Sequence, residues 1–257
     1  MRHAAPEQQQ KQPPKNKHDM RSVVSTSPHA LPVALPDMPP ETFALGELLG
    51  DVAQYYSRKV LAHGATPLGV DWSCLPTQEM RFVQLLKLCE FDVPISINDI
   101  GCGYGALLAF LRKRYRNKTV DYLGVDISAA MIAHAKKRWK NCANAAFGQA
   151  VSGYRTADYS LASGVFNVKL SHTAAAWERM IEQTLRGMHA KSRLGFAVNF
   201  LAPMPDGAPP VPELYRAPPA MWRNFCESAF DVNVEVIANY GMREYTLLAR
   251  NKSSEPG

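Results

Sequence analysis

Apolar and polar positions alternate along this chain in two periods, and the switches between them set the expected order of elements. The stretch from Glu41 to about Glu90 reads as helical. One helix is predicted over residues 42–63, stopped by Gly64. Residues 66–72 (Thr-Pro-Leu-Gly-Val-Asp-Trp) read as a loop, after which Pro76-Thr77 opens a second helix. Its apolar face is Met80, Val83, Leu86 and Cys89, broadened by Phe82 and Leu85. Short apolar runs then predict strands over 95–100, 120–125, 145–148, 159–163 and 195–200. Helical spacing falls between them. On 106–116, Leu107, Leu108, Phe110 and Leu111 face inward. After Ser128, which is placed to cap a helix, Met131, Ile132, Ala135 and Trp139 share a face. On 173–189 the stripe is Ala176 or Trp177, Met180, Ile181, Thr184, Leu185 and Met188. Residues 203–219 are proline-rich and read as a long loop able to act as a lid. A helix over 221–230 precedes two strands, 232–237 and 244–249, which flank Tyr240-Gly241 as a hairpin.

Strands alternating with helices argue for an α/β fold with a mostly parallel sheet covered on both faces, and the final hairpin adds an antiparallel strand. Residues 1–40, with Gln8-Gln9-Gln10, Pro13-Pro14 and few large apolar side chains, read as a disordered tail. Residues 41–90 read as an N-terminal helical cap, and residues 91–252 as the ligand-binding domain.

The first strand runs straight into Gly101-Cys102-Gly103-Tyr104-Gly105 and then into a helix. Glycine at alternate positions permits positive φ and a close ligand approach, and the helix start aims free N–H groups at the loop. Gly101-x-Gly103-x-x-Ala106 also fits a dinucleotide fingerprint. Asp99 before the glycines and the closing hairpin speak against that alternative.

With Asp99, this stretch resembles the first motif of the class I S-adenosylmethionine-dependent methyltransferases, an acid followed by Gly-x-Gly-x-Gly. The likeness runs from about Tyr55 to Lys252 and is to the bacterial small-molecule type. It implies a three-layer Rossmann-like methyltransferase fold with a seven-stranded sheet. It also implies S-adenosylmethionine as cofactor. Asp99, Gly101, Cys102, Gly103, Tyr104 and Gly105 would meet its methionine end. Asp126, which ends the second strand about 20 residues beyond the glycines, would accept the ribose hydroxyls. Ile127 and Met131 would pack nearby. Gln149 stands where the family contacts adenine, or in a surface loop. Ser163, Gly164, Val165, Phe166 and Asn167 match the fourth motif in place. Asn167 would face the incoming nucleophile, or cap the following turn.

Methyl transfer is a displacement at carbon and depends mainly on positioning, with a base helping a hydroxyl nucleophile. No motif announces that base. The candidates for catalysis are Asn167, His63, Asp71 and His172. Tyr56, Lys59, Trp72, Gln78 and Arg81 resemble the pre-motif region of the same enzymes and are substrate-site candidates, as are Asn199 and Tyr240.

Composition changes this picture little. The net charge of +6 permits an acidic partner without requiring one. The basic runs at Arg112–Arg116 and Lys136–Arg138 fit solvated helix faces, and nucleic acid is not favoured. The five scattered cysteines lack a Cys-x-x-Cys pair, so no metal site is expected and a reducing, cytoplasmic setting is. No run of about 18 apolar residues suggests a membrane span. The expected activity is methylation of a small-molecule acceptor at oxygen or nitrogen. The rival readings are a cofactor-binding regulatory protein without turnover and an RNA methyltransferase.

Overall fold

In a computed structural model, which describes residues 40–252, seven strands form one sheet. They are β1 (Ile95–Ile100), β2 (Val120–Asp126), β3 (Ala145–Gln149), β4 (Ala157–Ala162), β5 (Ser192–Leu201), β6 (Val232–Ile237) and β7 (Glu244–Asn251). Their order is β3-β2-β1-β4-β5-β7-β6. β1 pairs in parallel with both β2 and β4, while β7 is antiparallel to both of its neighbours. The strand order therefore reverses beside β1, and the C-terminal ends of β1, β2 and β4 open a crevice there. The seven-stranded, mostly parallel sheet with an antiparallel hairpin strand is the one expected from the sequence. The tail expected over 1–40 lies outside the described residues, except for Pro40, which opens the first helix.

The sheet is covered on both faces because its strands are apolar on both faces. Phe196, Val198 and Phe200 pack into one buried cluster and Ala197 into the other, as the period of two demands. The first cluster is filled by α5 (Ala174–Ala190) and α6 (Pro219–Ala229), through Trp177, Leu185 and Trp222. The second is filled by α2 (Leu75–Leu85) and α3 (Ala106–Arg114), through Phe82, Leu85, Leu107 and Leu111. α4 (Ala129–Arg138) starts at Ser128, whose hydroxyl accepts the Met131 N–H at 3.1 Å.

α1 (Pro40–His63) precedes these layers. Its Leu48 and Val52 join the first cluster, and its Ser57 hydroxyl lies 2.8 Å from that of Ser128.

Two expectations need correction. The buried face of α2 is Gln78, Arg81, Phe82, Gln84 and Leu85, whereas Met80 is exposed and Val83 only partly buried. The helix turns polar residues inward because it roofs a polar site rather than the core alone. The stretch 203–219 is also less free than a lid: Leu214 bridges Val168 and Arg216 bridges Leu201, which ties its second half to the sheet.

Candidate functional site

A cavity of about 400 Å³ opens at the reversal point of the strand order. That is an ordinary size for a site that encloses a small organic molecule. Its floor is the glycine turn after β1. The N–H groups of Gly101 and Cys102 both donate to the Val125 carbonyl, at 2.8 and 3.0 Å, and this pins the turn to the end of β2. Gly101 has φ +69°, and a Cβ there would stand 2.5 Å from Val165 Cγ2. A side chain is thus excluded twice, by backbone conformation and by the loop after β4.

Two carboxylates stand beside this turn, and both line the cavity. Asp126 accepts the Gly103 N–H through Oδ2 at 2.9 Å and the Ser128 N–H through Oδ1 at 2.8 Å. Burial raises its pKa, and these backbone donors oppose the rise. Asp99, 2% exposed, accepts the Tyr122 hydroxyl. Burial pushes it up to about 7, with Asp126 adding to the rise and the tyrosine opposing it. Neither carboxylate has a salt-bridge partner among the described residues. Two buried acids without counter-ions fit a ligand that brings hydroxyl donors and a cationic end, which is the chemistry of S-adenosylmethionine.

The loop after β4 forms the opposite wall. Ser163, Gly164, Val165 and Asn167 line the cavity, together with Ile127 and Met131 from the β2 side. Asn167 is buried, and its Oδ1 has no hydrogen-bond partner among the described residues. The loop is held by a chain of polar contacts. The Gly164 N–H donates to Asn199 Oδ1 at 2.7 Å, and the Asn199 amide donates to Glu244 at 3.0 Å. Arg81 clamps Glu244 with two hydrogen bonds, and its guanidinium carbon stands 3.3 Å from the centre of the Trp72 ring. Both members of the Arg81–Glu244 pair are buried.

The other wall comes from the N-terminal part, where Tyr56, Asp71 and Trp72 reach the cavity. Asp71 takes the left-handed conformation at φ +58° and accepts from both Tyr55, at 2.5 Å, and Lys59, at 2.6 Å. These partners hold its carboxyl below the usual range against the opposing effect of burial. Asp71 thus ties the loop before α2 to α1, and it keeps its charge rather than offering a free base.

Several of the expected site residues stand away from the cavity. Lys59 points to Asp71, and His63 is exposed at the end of α1. His172 stands 3.2 Å from Asp51. Gln149 is exposed and donates to the Ile127 carbonyl, so Ala150 and Val151 line the cavity in its place. Tyr104 is turned toward Gln78, and Gly105 makes room for the Trp139 indole. Phe166 is in the core, stacked on Phe200 at 5.2 Å between centroids. Asn199 acts one step back, through Gly164, and Tyr240 bonds with Thr246. Two charged residues outside the expected set bear on the site: Arg216 lines the cavity, and Glu244 holds Arg81 and Asn199 behind it. Glu244 opens β7 and Arg216 sits in the proline-rich segment, and no local pattern marks either. Among the described residues no cluster of His, Cys, Asp and Glu could hold a metal, and no helix is long and apolar enough to cross a membrane.

Comparison with known proteins speaks for the family and the fold. A family model described as a methyltransferase domain matches residues 97–192. A Mycobacterium tuberculosis protein named as a methyltransferase, Rv1506c, is 41% identical over 168 residues, covering 65% of this chain and 100% of that one. Among solved structures, magnesium protoporphyrin IX methyltransferase from Synechocystis PCC 6803, solved with S-adenosylmethionine bound, superposes with a TM-score of 0.51. It is 13% identical, covering 85% of this chain and 100% of that chain. Phosphoethanolamine N-methyltransferase 1 of Haemonchus contortus superposes with a TM-score of 0.57 at 12% identity, covering 82% of this chain and 51% of that one. At such identities these two structures speak for the fold alone.

Proposed function

This chain belongs to the class I S-adenosylmethionine-dependent methyltransferases, and we propose that it methylates a small-molecule acceptor at oxygen or nitrogen. The observation that carries the reading is the pair of buried carboxylates at the glycine turn, lining one cavity together with the buried Asn167. When bound, S-adenosylmethionine supplies an electrophilic methyl group on a cationic sulfur.

In this reading Asp126 receives the ribose hydroxyls, because Gly103 and Ser128 fix both of its oxygens by backbone hydrogen bonds. Asp99 meets the cationic methionine end. Ile127, Met131, Ala150 and Val151 exclude water around the flat base. Asn167 Oδ1 accepts the N–H or O–H of the acceptor and orients its lone pair toward the methyl group. Among the described residues no histidine lines the cavity, so catalysis rests on alignment and water exclusion more than on a strong base. Two walls of mostly apolar side chains suit an organic acceptor of modest size rather than a polymer.

The test is titration calorimetry with S-adenosylmethionine, S-adenosylhomocysteine and NAD, followed by a labelled-methyl assay on a panel of small hydroxy and amino compounds. Micromolar binding of the first two, without NAD, and label in at least one compound is the expected result. Binding without transfer to any compound would return the chain to a cofactor-binding regulatory role.

A further inference from the structure

We infer that Arg216 selects an acceptor bearing a carboxylate, holding that group at the end of the cavity away from Asp99 and Asp126 while Asn167 holds the atom to be methylated. This deepens the proposed function and rests on it.

Arg216 lines the same cavity as the two acids, but from the β5 side, where it bridges Leu201. Its guanidinium has one hydrogen bond among the described residues, from Nη1 to the Ala202 carbonyl at 2.8 Å. Its Nε is buried and unpaired. A guanidinium carries five donors, so most of its capacity is unused where water is scarce. The nearest acid in the fold, Glu244, is committed to Arg81 through both oxygens. Burial and the neighbouring Arg243 both lower the Arg216 pKa, and Glu244, already held by Arg81, opposes them. Neither arginine has a salt-bridge partner among the described residues. A half-buried cation with a second cation beside it, and with its one nearby acid already paired to Arg81, gains from an anion that arrives with the ligand.

Position turns that cost into selectivity. The Tyr215 N–H donates to the Asn167 carbonyl at 2.8 Å, so Arg216 is one residue from the backbone pair that carries Asn167. Arg216 and Asn167 both line the cavity, and the backbone bond between Tyr215 and Asn167 joins the segments that carry them. Around them stand Val168, Leu201 and Leu214, which offer no other polar side chain. Arg81, the other arginine of the lining, is paired with Glu244, so Arg216 is left to match a singly charged carboxylate on an apolar body, gripped by two parallel N–H donors. The cavity is then polarised, with acids at the turn for a cationic donor and a cation at the far wall for an anionic acceptor. A carboxylate kept at Arg216 is also kept out of the repulsive field of Asp99 and Asp126.

The experiment is ligand-observed NMR on the protein saturated with S-adenosylhomocysteine. The probes are matched pairs: benzoate and benzamide, 4-hydroxybenzoate and 4-hydroxybenzamide, indole-3-acetate and indole-3-acetamide. The acids should show saturation transfer and the amides at least tenfold weaker binding. Arg216→Gln should remove that preference and Arg216→Lys should keep part of it, with S-adenosylhomocysteine affinity unchanged in both. Amides binding as well as acids, no signal from any acid, or a preference that survives Arg216→Gln would each overturn the inference. Calorimetry on the unmodified chain separates the two levels. Loss of S-adenosylhomocysteine binding there defeats the proposed function itself, whereas intact binding with neutral ligands preferred defeats only the role of Arg216. The comparison of acid with amide on the unmodified chain requires no variant to fold.

Discussion

Asp126 Oδ2 accepts the Gly103 N–H at 2.9 Å across the crevice between β1 and β2. The bond joins the acid that ends β2 to the turn that ends β1, so the proposed ribose and methionine contacts are tied together. Asp126→Asn keeps the shape but sets an NH₂ group against a backbone N–H and removes the charge that strengthens both bonds. Cofactor affinity should fall by about 1.5–3 kcal/mol, the usual worth of a hydrogen bond to a charged group. Calorimetry with S-adenosylhomocysteine measures it, and an unchanged Kd would remove Asp126 from the site.

Gly101→Ala tests the turn. Its φ of +69° and its contact with Val165 both oppose a Cβ, whereas Gly153, at φ +77°, has open space around it. Gly153→Ala should cost only the left-handed strain, about 1 kcal/mol. Gly101→Ala should cost distinctly more and weaken cofactor binding as well. Urea unfolding of the two variants side by side gives the comparison, and equal losses would show that Val165 yields freely.

The Arg81–Glu244 pair holds α2 against β7 and, through Asn199, positions Gly164. Removing one member leaves a buried charge alone. Arg81→Met or Glu244→Gln should each destabilise by about 3–5 kcal/mol, and the double change to apolar residues should recover much of that loss. Chemical denaturation reads all three. If the single and double variants are equally unstable, the loss comes from packing and not from the orphaned charge.

Asp99 makes the site sensitive to pH. Its folded value, about 7, stands above its ordinary 3.8. The neutral carboxyl therefore favours the folded state fully at acid pH, and that contribution is lost as pH rises through about 7. A cationic ligand reverses the balance because it prefers the ionised form. S-adenosylmethionine affinity should rise between pH 6 and pH 8, and Asp99→Asn should flatten the profile. Thermal unfolding across that range, with and without ligand, should show a larger ligand-induced shift at the alkaline end. A flat profile in the unmodified protein would place the cationic end of the ligand elsewhere.

What could be read from the chain alone was what short-range chemistry dictates. Three glycines at alternate positions permit a tight turn with positive φ, and Gly101, Gly103 and Gly105 all adopt it. Asp126 could be foreseen at the end of β2 because an apolar run stops there and Ser128 caps the next helix. The same reasoning failed where two periods compete. Around α2 the apolar spacing correctly gave Phe82, Leu85, Leu86 and Cys89 as buried, but not Met80 or Val83, and it missed the buried Gln78 and Arg81. Phe166 shows the converse error: it sits in the fourth motif, yet a large ring is worth more stacked on Phe200 than lining a wet cavity.

The sequence by itself determined the succession of elements, the glycine turn and the acid after β2, since each follows from periodicity or from a backbone conformation only certain residues adopt. The tertiary structure alone decided which distant residues complete the site. Arg81 meets Glu244 across 163 positions, and Arg216 reaches the cavity because a proline-rich segment bridges back to Leu201. Such pairs depend on strand order and on where burial leaves a charge without a partner, and the local pattern of apolar and polar residues records neither.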